Sequence, residues 1–176
     1  MRHDLFTTPL WHIEGAPQEL VDELYKGAYK FKEKCSTATR SNIDGYQTPT
    51  LDWKEFHPRG IKYIEKVIHE CDSQLFESFK IVNWWFNING KGASNLPHTH
   101  PGADMAIVFY LTDSDGLLNF VNPFTMRRFE LHSEQFIGLN AKKGDILIFP
   151  ADLVHYVRPN KRDTDRVSIS MNLQLS

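Results

Sequence analysis

Two histidines one residue apart, His98 and His100 in the stretch "HTHPG", precede an apolar run, "MAIVFYL". In an extended chain, residues i and i+2 project to the same side, so two imidazoles at this spacing can converge on one point. Neutral imidazole is the commonest protein ligand for a metal ion. A third histidine, His155, follows the turn signal "FPAD" in "ADLVHYVRPN". Beyond it lies the alternating stretch "RVSISMN", which places Arg166, Ser168 and Ser170 on one face and Val167, Ile169 and Met171 on the other. An arginine cannot shed its proton, so inside a closed β structure it needs an anionic partner. Together these residues spell metal binding beside a fixed cation that takes an anionic ligand.

Each residue alone has a structural explanation. A lone histidine near a strand end is most often hydrogen-bonded and nothing more, and His3, His12, His57, His69 and His132 are read that way. Arg166 beside the charged turn "NKRDTDR" would by itself read as a surface ion-pair residue. The combination of three histidines with an arginine on the last strand carries the functional reading.

The elements that must position them change character along the chain. "PQELVDELYKGAYKFKEK" from Pro17 has helical apolar spacing at Leu20, Leu24 and Ala28. "TATRSNIDGYQTPTLDW" is turn-rich and reads as a loop. "PRGIKYIEKVIHECDSQLFESFK" carries a helical stripe from Ile61 through Ile68 to Phe79. After Lys80 come short segments rich in β-branched and aromatic residues, divided by Gly, Pro, Asn and Asp: "IVNWWFNIN", "MAIVFYLT", "GLLNFVNP", "FELHSE", "FIGLNA", "GDILIFP", "LVHYVRP" and "RVSISMNLQL". Two helices followed by many strands predict a mainly β sandwich, barrel or jelly roll with the helices packed outside one sheet. The expected organisation is a single domain over 1–176, with a helical part at 1–80 packing on a β core at 81–176.

The composition excludes other classes. A chain of 176 residues with 41% hydrophobic and 24% charged content is an ordinary globular one. A net charge of −2 offers no basic footprint for nucleic acid. Its clusters "MRRFE" and "NKRDTDR" read as solvated turns. No apolar run suffices to span a bilayer, and the N-terminus has no signal-peptide pattern. Cys35 and Cys71 are far apart and read as reduced thiols, so a cytoplasmic location is expected.

The stretches "HTHPGADMAIVFYL" and "GDILIFPADLVHYVRPNKRDTDRVSISMN" resemble the catalytic core of Fe(II)/2-oxoglutarate-dependent oxygenases, in particular a bacterial and phage branch of that superfamily. "SNIDGYQT" and "WFNINGKGASNLPH" extend the resemblance over about residues 41 to 175. It implies a double-stranded β-helix, a cupin-like jelly roll. It implies Fe(II) as metal, 2-oxoglutarate as cosubstrate and O2 as co-reactant, with succinate and CO2 formed as a prime substrate is oxidised, commonly hydroxylated. His98 and His155 match the two histidine ligands. Arg166 matches the residue that grips the distal carboxylate of 2-oxoglutarate, with Ser168 beside it. A guanidinium fork suits a carboxylate bidentately. Tyr110 matches a tyrosine that reaches the same carboxylate. Asn87 shares a face with Asn83 and Trp85, and is placed against the cosubstrate pocket.

The chain departs from the family pattern where an Asp or Glu is usual two residues after the first ligand. His100 stands there. Three arrangements fit: His100 ligates, giving a three-histidine face; Asp104 supplies the carboxylate, with His100 behind it; or the metal has two protein ligands and water. Two rival functions also fit: a cupin-like metalloenzyme without 2-oxoglutarate, and a non-catalytic β-sandwich with a structural metal. A structural site is usually closed and four-coordinate, and no fourth ligand is near. The prime substrate (a protein side chain, an amino acid, a small metabolite or a nucleobase) and any homo-oligomer are left open by the sequence.

Overall fold

The computed structural model describes residues 7–115, 117–123 and 135–176. The described elements run in the order β1 (Trp11–Ile13), α1 (Gln18–Lys34), β2 (Asn42–Ile43), β3 (Tyr46–Gln47), β4 (Leu51–Asp52), α2 (Pro58–Cys71), β5 (Phe79–Asn89), β6 (Ser94–His98), β7 (Met105–Tyr110), β8 (Leu118–Val121), β9 (Phe136–Leu139), β10 (Ile146–Pro150), β11 (His155–Val157) and β12 (Arg166–Leu175).

The strands form two antiparallel sheets. One has the order β1-β10-β7-β12-β5-β3, with β4 also on β5; the other has the order β2-β6-β11-β8-β9. Neighbours in the sheets are distant in sequence, as in a jelly roll, and the fold is the double-stranded β-helix that the sequence reading expected.

Alternation along the strands divides the core in two. Trp84, Phe86 and Ile88 of β5, Ile107 and Phe109 of β7, and Val167, Ile169 and Met171 of β12 face the helices. They pack on Leu20, Leu24 and Ala28 of α1 and on Ile64 and Ile68 of α2. The opposite face of the same sheet meets the second sheet. There Val108, Tyr110, Leu118, Phe120, Leu147 and Phe149 make a smaller apolar core. Fully burying one such side chain stabilises the fold by roughly 1.5–3 kcal/mol. The remainder of the intersheet space is polar, and the site lies there.

Three segments differ from the sequence reading. The polar stretch read as a loop contains β2, β3 and β4. Tertiary pairing recruits them: β2 joins β6 in one sheet, while β3 joins β5 in the other. Residues 1–80 therefore supply strands as well as helices. The second helix ends at Cys71, and Phe79 opens β5. Asp72 stops the helix by accepting the Leu75 N–H (3.0 Å) in a turn. The strand β6, with His98 at its end, is not among the strands the sequence pattern predicts: Pro97 lies inside its five residues and removes a backbone donor. The stretches "FELHSE" and "MRRFE", with His132 and His3, lie outside the described residues. Cys35 and Cys71 are unpaired, and no described helix is long and apolar enough to cross a membrane.

Candidate metal centre and anion pocket

His98 ends β6 and His155 opens β11, and the two are direct register partners in an antiparallel pair. Their ring centroids lie 4.3 Å apart. A register shift between His155 and Val157 marks a bulge just past the ligand position. His100 lies in the turn after β6, where its backbone N–H donates to Ala151 O (2.8 Å). It reaches the pair from the second side, with Nε2 3.2 Å from His155 Nε2. The ligand atoms of all three histidines lie within 4.8 Å of one another.

The backs of the rings decide what the fronts can do. His98 Nδ1 is 2.7 Å from Leu96 O, and His155 Nδ1 is 2.9 Å from Leu153 O. A carbonyl only accepts, so both Nδ1 atoms carry the proton. His100 Nδ1 is 2.6 Å from Asn172 Oδ1, while the Asn172 amide donates to Asn83 Oδ1 at 2.9 Å. All three Nε2 atoms are thereby left as lone pairs aimed at one another. Burial pushes the His100 pKa down to about 4 and that of His155 down to about 3, and lowers His98 too. Converging neutral lone pairs repel unless a cation stands among them, and this donor set fits a metal ion with an open side.

Beside the histidines a cavity of about 630 Å³ opens between the sheets. Arg166, Tyr110, Ser168 and Asn87 line it together with the three imidazoles. Arg166 is 4% exposed. Among the described residues its Nη2 reaches only Asn95 Oδ1 at 3.5 Å, and its Nε has no partner. Burial lowers its pKa to about 10, opposed by Tyr110, so the group stays cationic at neutral pH. A buried guanidinium without a carboxylate is costly unless a ligand supplies the anion. The Tyr110 hydroxyl is kept protonated by burial. Ser168 is the register partner of both Asn87 and Tyr110, so the three side chains form one row across β5, β12 and β7. Asn87 donates to Ser170 Oγ (3.0 Å).

All seven residues singled out in the sequence meet at this cavity. Asp104 does not: its Oδ2 accepts the Leu175 N–H (2.9 Å), at the C-terminal end of β12. Sequence reasoning missed Asn172, which orients His100, and Asn95, which meets Arg166. Asn172 stands in the quoted "RVSISMN" on the arginine face, and that shared face was the signal available for it. A second cluster, His12, Glu14 and Asp145, is of a different kind. Asp145 Oδ2 there accepts the Lys142 N–H (2.8 Å) as a turn cap, with His12 Nε2 at 2.8 Å.

Comparison with known proteins agrees with this geometry. The family model described as "Putative 2OG-Fe(II) oxygenase" matches residues 83–172. No curated protein matches the chain in sequence. Among solved structures, HygX from Streptomyces hygroscopicus with nickel and 2-oxoglutarate bound aligns with a TM-score of 0.70 at 13% identity, covering 97% of this chain and 84% of that one. A Pseudomonas putida prolyl-4-hydroxylase aligns with a TM-score of 0.66 at 15% identity, covering 98% and 96%. The viral collagen prolyl hydroxylase of Paramecium Bursaria Chlorella virus-1, in its 2-oxoglutarate complex, aligns with a TM-score of 0.64 at 14% identity, covering 95% and 96%. These likenesses share the fold, and the family match spans half the chain and every candidate ligand. The chain belongs to the 2OG-Fe(II) oxygenases, enzymes that depend on Fe(II) and 2-oxoglutarate.

Proposed function

We propose that His98, His100 and His155 hold the Fe(II), that Arg166, Tyr110 and Ser168 hold the far carboxylate of 2-oxoglutarate, and that the enzyme is a hydroxylase. The supporting observation is the pairing of two binding features in one cavity. The three histidine ligand atoms converge as a cation's donor set does, and a buried guanidinium with no carboxylate partner among the described residues fits an anion. One metal and one dicarboxylate answer both. When bound, iron and cosubstrate supply oxidising power through the oxidative decarboxylation of 2-oxoglutarate to succinate and CO2 with O2.

The chain's own residues bind, orient and shield. Leu96 O, Leu153 O and Asn172 Oδ1 fix the three tautomers, so no imidazole has to reorient on metal binding. Arg166 presents its fork to a carboxylate, and Tyr110 and Ser168 offer hydroxyls that have no hydrogen-bond partner among the described residues. Asn87 lines the cosubstrate pocket. Val108, Leu118 and Val157 form an apolar wall that keeps water from the reacting end. The helices of residues 1–80 buttress the sheet that carries Arg166, within one domain. The enzyme works in the cytoplasm, where its cysteines stay reduced.

Three neutral histidines are favoured over a carboxylate-bearing set by the placement of Asp104, whose side chain is tied to Leu175. The test is succinate formation by purified protein with Fe(II), ascorbate and 2-oxoglutarate but no prime substrate. Uncoupled turnover above a metal-free control is expected in the wild type and not in Arg166→Ala. Equal succinate in both proteins would sink the assignment of Arg166.

A further inference from the structure

The cavity extends past the histidines and Arg166 to a rim whose residues have no part in holding metal or cosubstrate. Among the described residues that line it there is no Asp or Glu, although the chain has 22 acidic residues against 20 Lys and Arg. On the rim lies Arg40. It has no carboxylate partner among the described residues, whereas Arg59 and Arg162 are paired with Glu23 and Asp115. Gln47 also faces the cavity and is 5% exposed, yet its amide has no hydrogen-bond partner among the described residues. An amide that lines the cavity without a protein partner is free to meet a ligand group.

The strand register separates these two residues from the cosubstrate end. Gln47, Asn87, Ser168 and Tyr110 are successive partners across β3, β5, β12 and β7. Three strand spacings place Gln47 about 14 Å from Tyr110. Arg40 is held at the mouth by its own loop. Its N–H donates to Asn42 Oδ1 (2.8 Å), and the next residue's carbonyl accepts the Leu96 N–H (2.8 Å). The segment from β2 to β3 thus ties one sheet to the other directly beside the opening. Trp85 lines the same cavity and is stacked on His100 with ring centroids 5.6 Å apart. It offers a flat apolar face.

Charge points the same way. With three neutral imidazoles, Fe(II) and the 2-oxoglutarate dianion cancel, and Arg166 and Arg40 leave the wall positive. A carboxylate ligand would have removed one of those charges. We propose that the prime substrate is a small organic anion, a carboxylate or phosphate ester, docked with its charge on Arg40, a hydrogen bond to Gln47 and its body against Trp85. The inference rests on the three-histidine and 2-oxoglutarate reading above. The cavity volume falls in the range of small-molecule sites.

The test uses full-length protein loaded with Zn(II). 2-Oxoglutarate is titrated first by calorimetry. Failure at that step would sink the cosubstrate reading itself, and the anion proposal with it. Benzoate, phenyl phosphate, benzamide and benzylamine are then titrated separately into the loaded protein. At least one of the two anions is expected to bind at least tenfold tighter than benzamide, with benzylamine weakest, and the better of the two distinguishes carboxylate from phosphate. Arg40→Gln should lose at least tenfold on that anion, leave benzamide unchanged and keep wild-type affinity for 2-oxoglutarate. Gln47→Ala should weaken the anion, and the exposed Arg158→Gln should change nothing. The proposal is overturned if benzamide or benzylamine matches the anions, if Arg40→Gln binds them as wild type does, or if none of the four binds while 2-oxoglutarate does. Oxidation of a peptide by a protein that ignores both anions would likewise overturn it, in favour of a protein substrate.

Discussion

His100 Nδ1 lies 2.6 Å from Asn172 Oδ1, and that contact sets which nitrogen of His100 faces His98 and His155. The partner is an amide, not the carboxylate that often backs a ligating histidine. It fixes the tautomer without adding negative charge, which keeps the whole histidine cluster neutral.

The first prediction follows from that contact. Asn172→Ala should weaken metal binding by roughly 10–100-fold, the usual effect of removing a group that orients a ligand. Asn172→Asp should recover most of the affinity, since a carboxylate also accepts from Nδ1–H. Metal titration of the three proteins at one pH checks this; equal affinity in Asn172→Ala would show that His100 needs no orienting.

A second prediction concerns Arg166. Arg166→Ala should leave metal affinity intact and weaken 2-oxoglutarate by roughly 2–5 kcal/mol, about thirtyfold or more. Arg166→Lys should restore only part of this, because an ammonium cannot form the fork. Tyr110→Phe should cost about 1 kcal/mol for one hydrogen bond. Calorimetry with a redox-inert metal reads all three values, and undiminished affinity in Arg166→Ala would remove it from the pocket.

Much of this was legible in the sequence because β12 alternates polar and apolar residues. In the structure every residue from Arg166 to Met171 is buried. A strand that alternates although both its faces are buried must border a polar interior, and Arg166, Ser168 and Asn172 mark that interior. The apolar run of β7 announces burial on both faces without saying which face meets the site. The rim was not legible. Arg40 and Gln47 lie in a turn-rich stretch whose two-residue strands have no period of their own, and only long-range pairing with β5 and β6 brings them to the cavity. The choice between His100 and Asp104 was equally hidden. Spacing allowed either, and nothing in it foretold that the Asp104 carboxylate accepts the Leu175 N–H.

Stability should fall as the solution is acidified. His100 and His155 have folded pKa values of about 4 and about 3, both below the ordinary 6.5. Between those values and 6.5 the unfolded chain binds more protons than the folded one, so stability is present near pH 7 and is lost as the pH drops through that window. The slope approaches about 1.4 kcal/mol per pH unit for each histidine. Urea melts of metal-free protein at pH 7 and pH 5 check this, and His100→Ala should flatten the dependence. A midpoint that stays constant between the two pH values would contradict the burial of neutral imidazoles.

Gly45 sits where a side chain would run into Asn89 Oδ1. Asn89 donates to Asn95 Oδ1 (2.9 Å), the same atom that Arg166 meets. Gly45→Ala should therefore push Asn89 aside, destabilise the fold by roughly 1–3 kcal/mol and weaken 2-oxoglutarate without altering metal affinity. Thermal melting and calorimetry on one preparation separate the two effects; an unchanged melting temperature would show that Asn89 yields freely.

The three-histidine centre is tested most directly by anaerobic Fe(II) titration of wild type, His98→Ala, His100→Ala, His155→Ala and Asp104→Ala at pH 7. Loss of a ligand should exceed the loss of an orienting group, so each histidine variant should bind more than about 100-fold weaker. Asp104→Ala should bind as wild type does while losing roughly 1 kcal/mol of stability with the Leu175 contact. If instead Asp104→Ala loses the metal and His100→Ala keeps it, the centre is a two-histidine carboxylate site and the neutral three-histidine account is wrong.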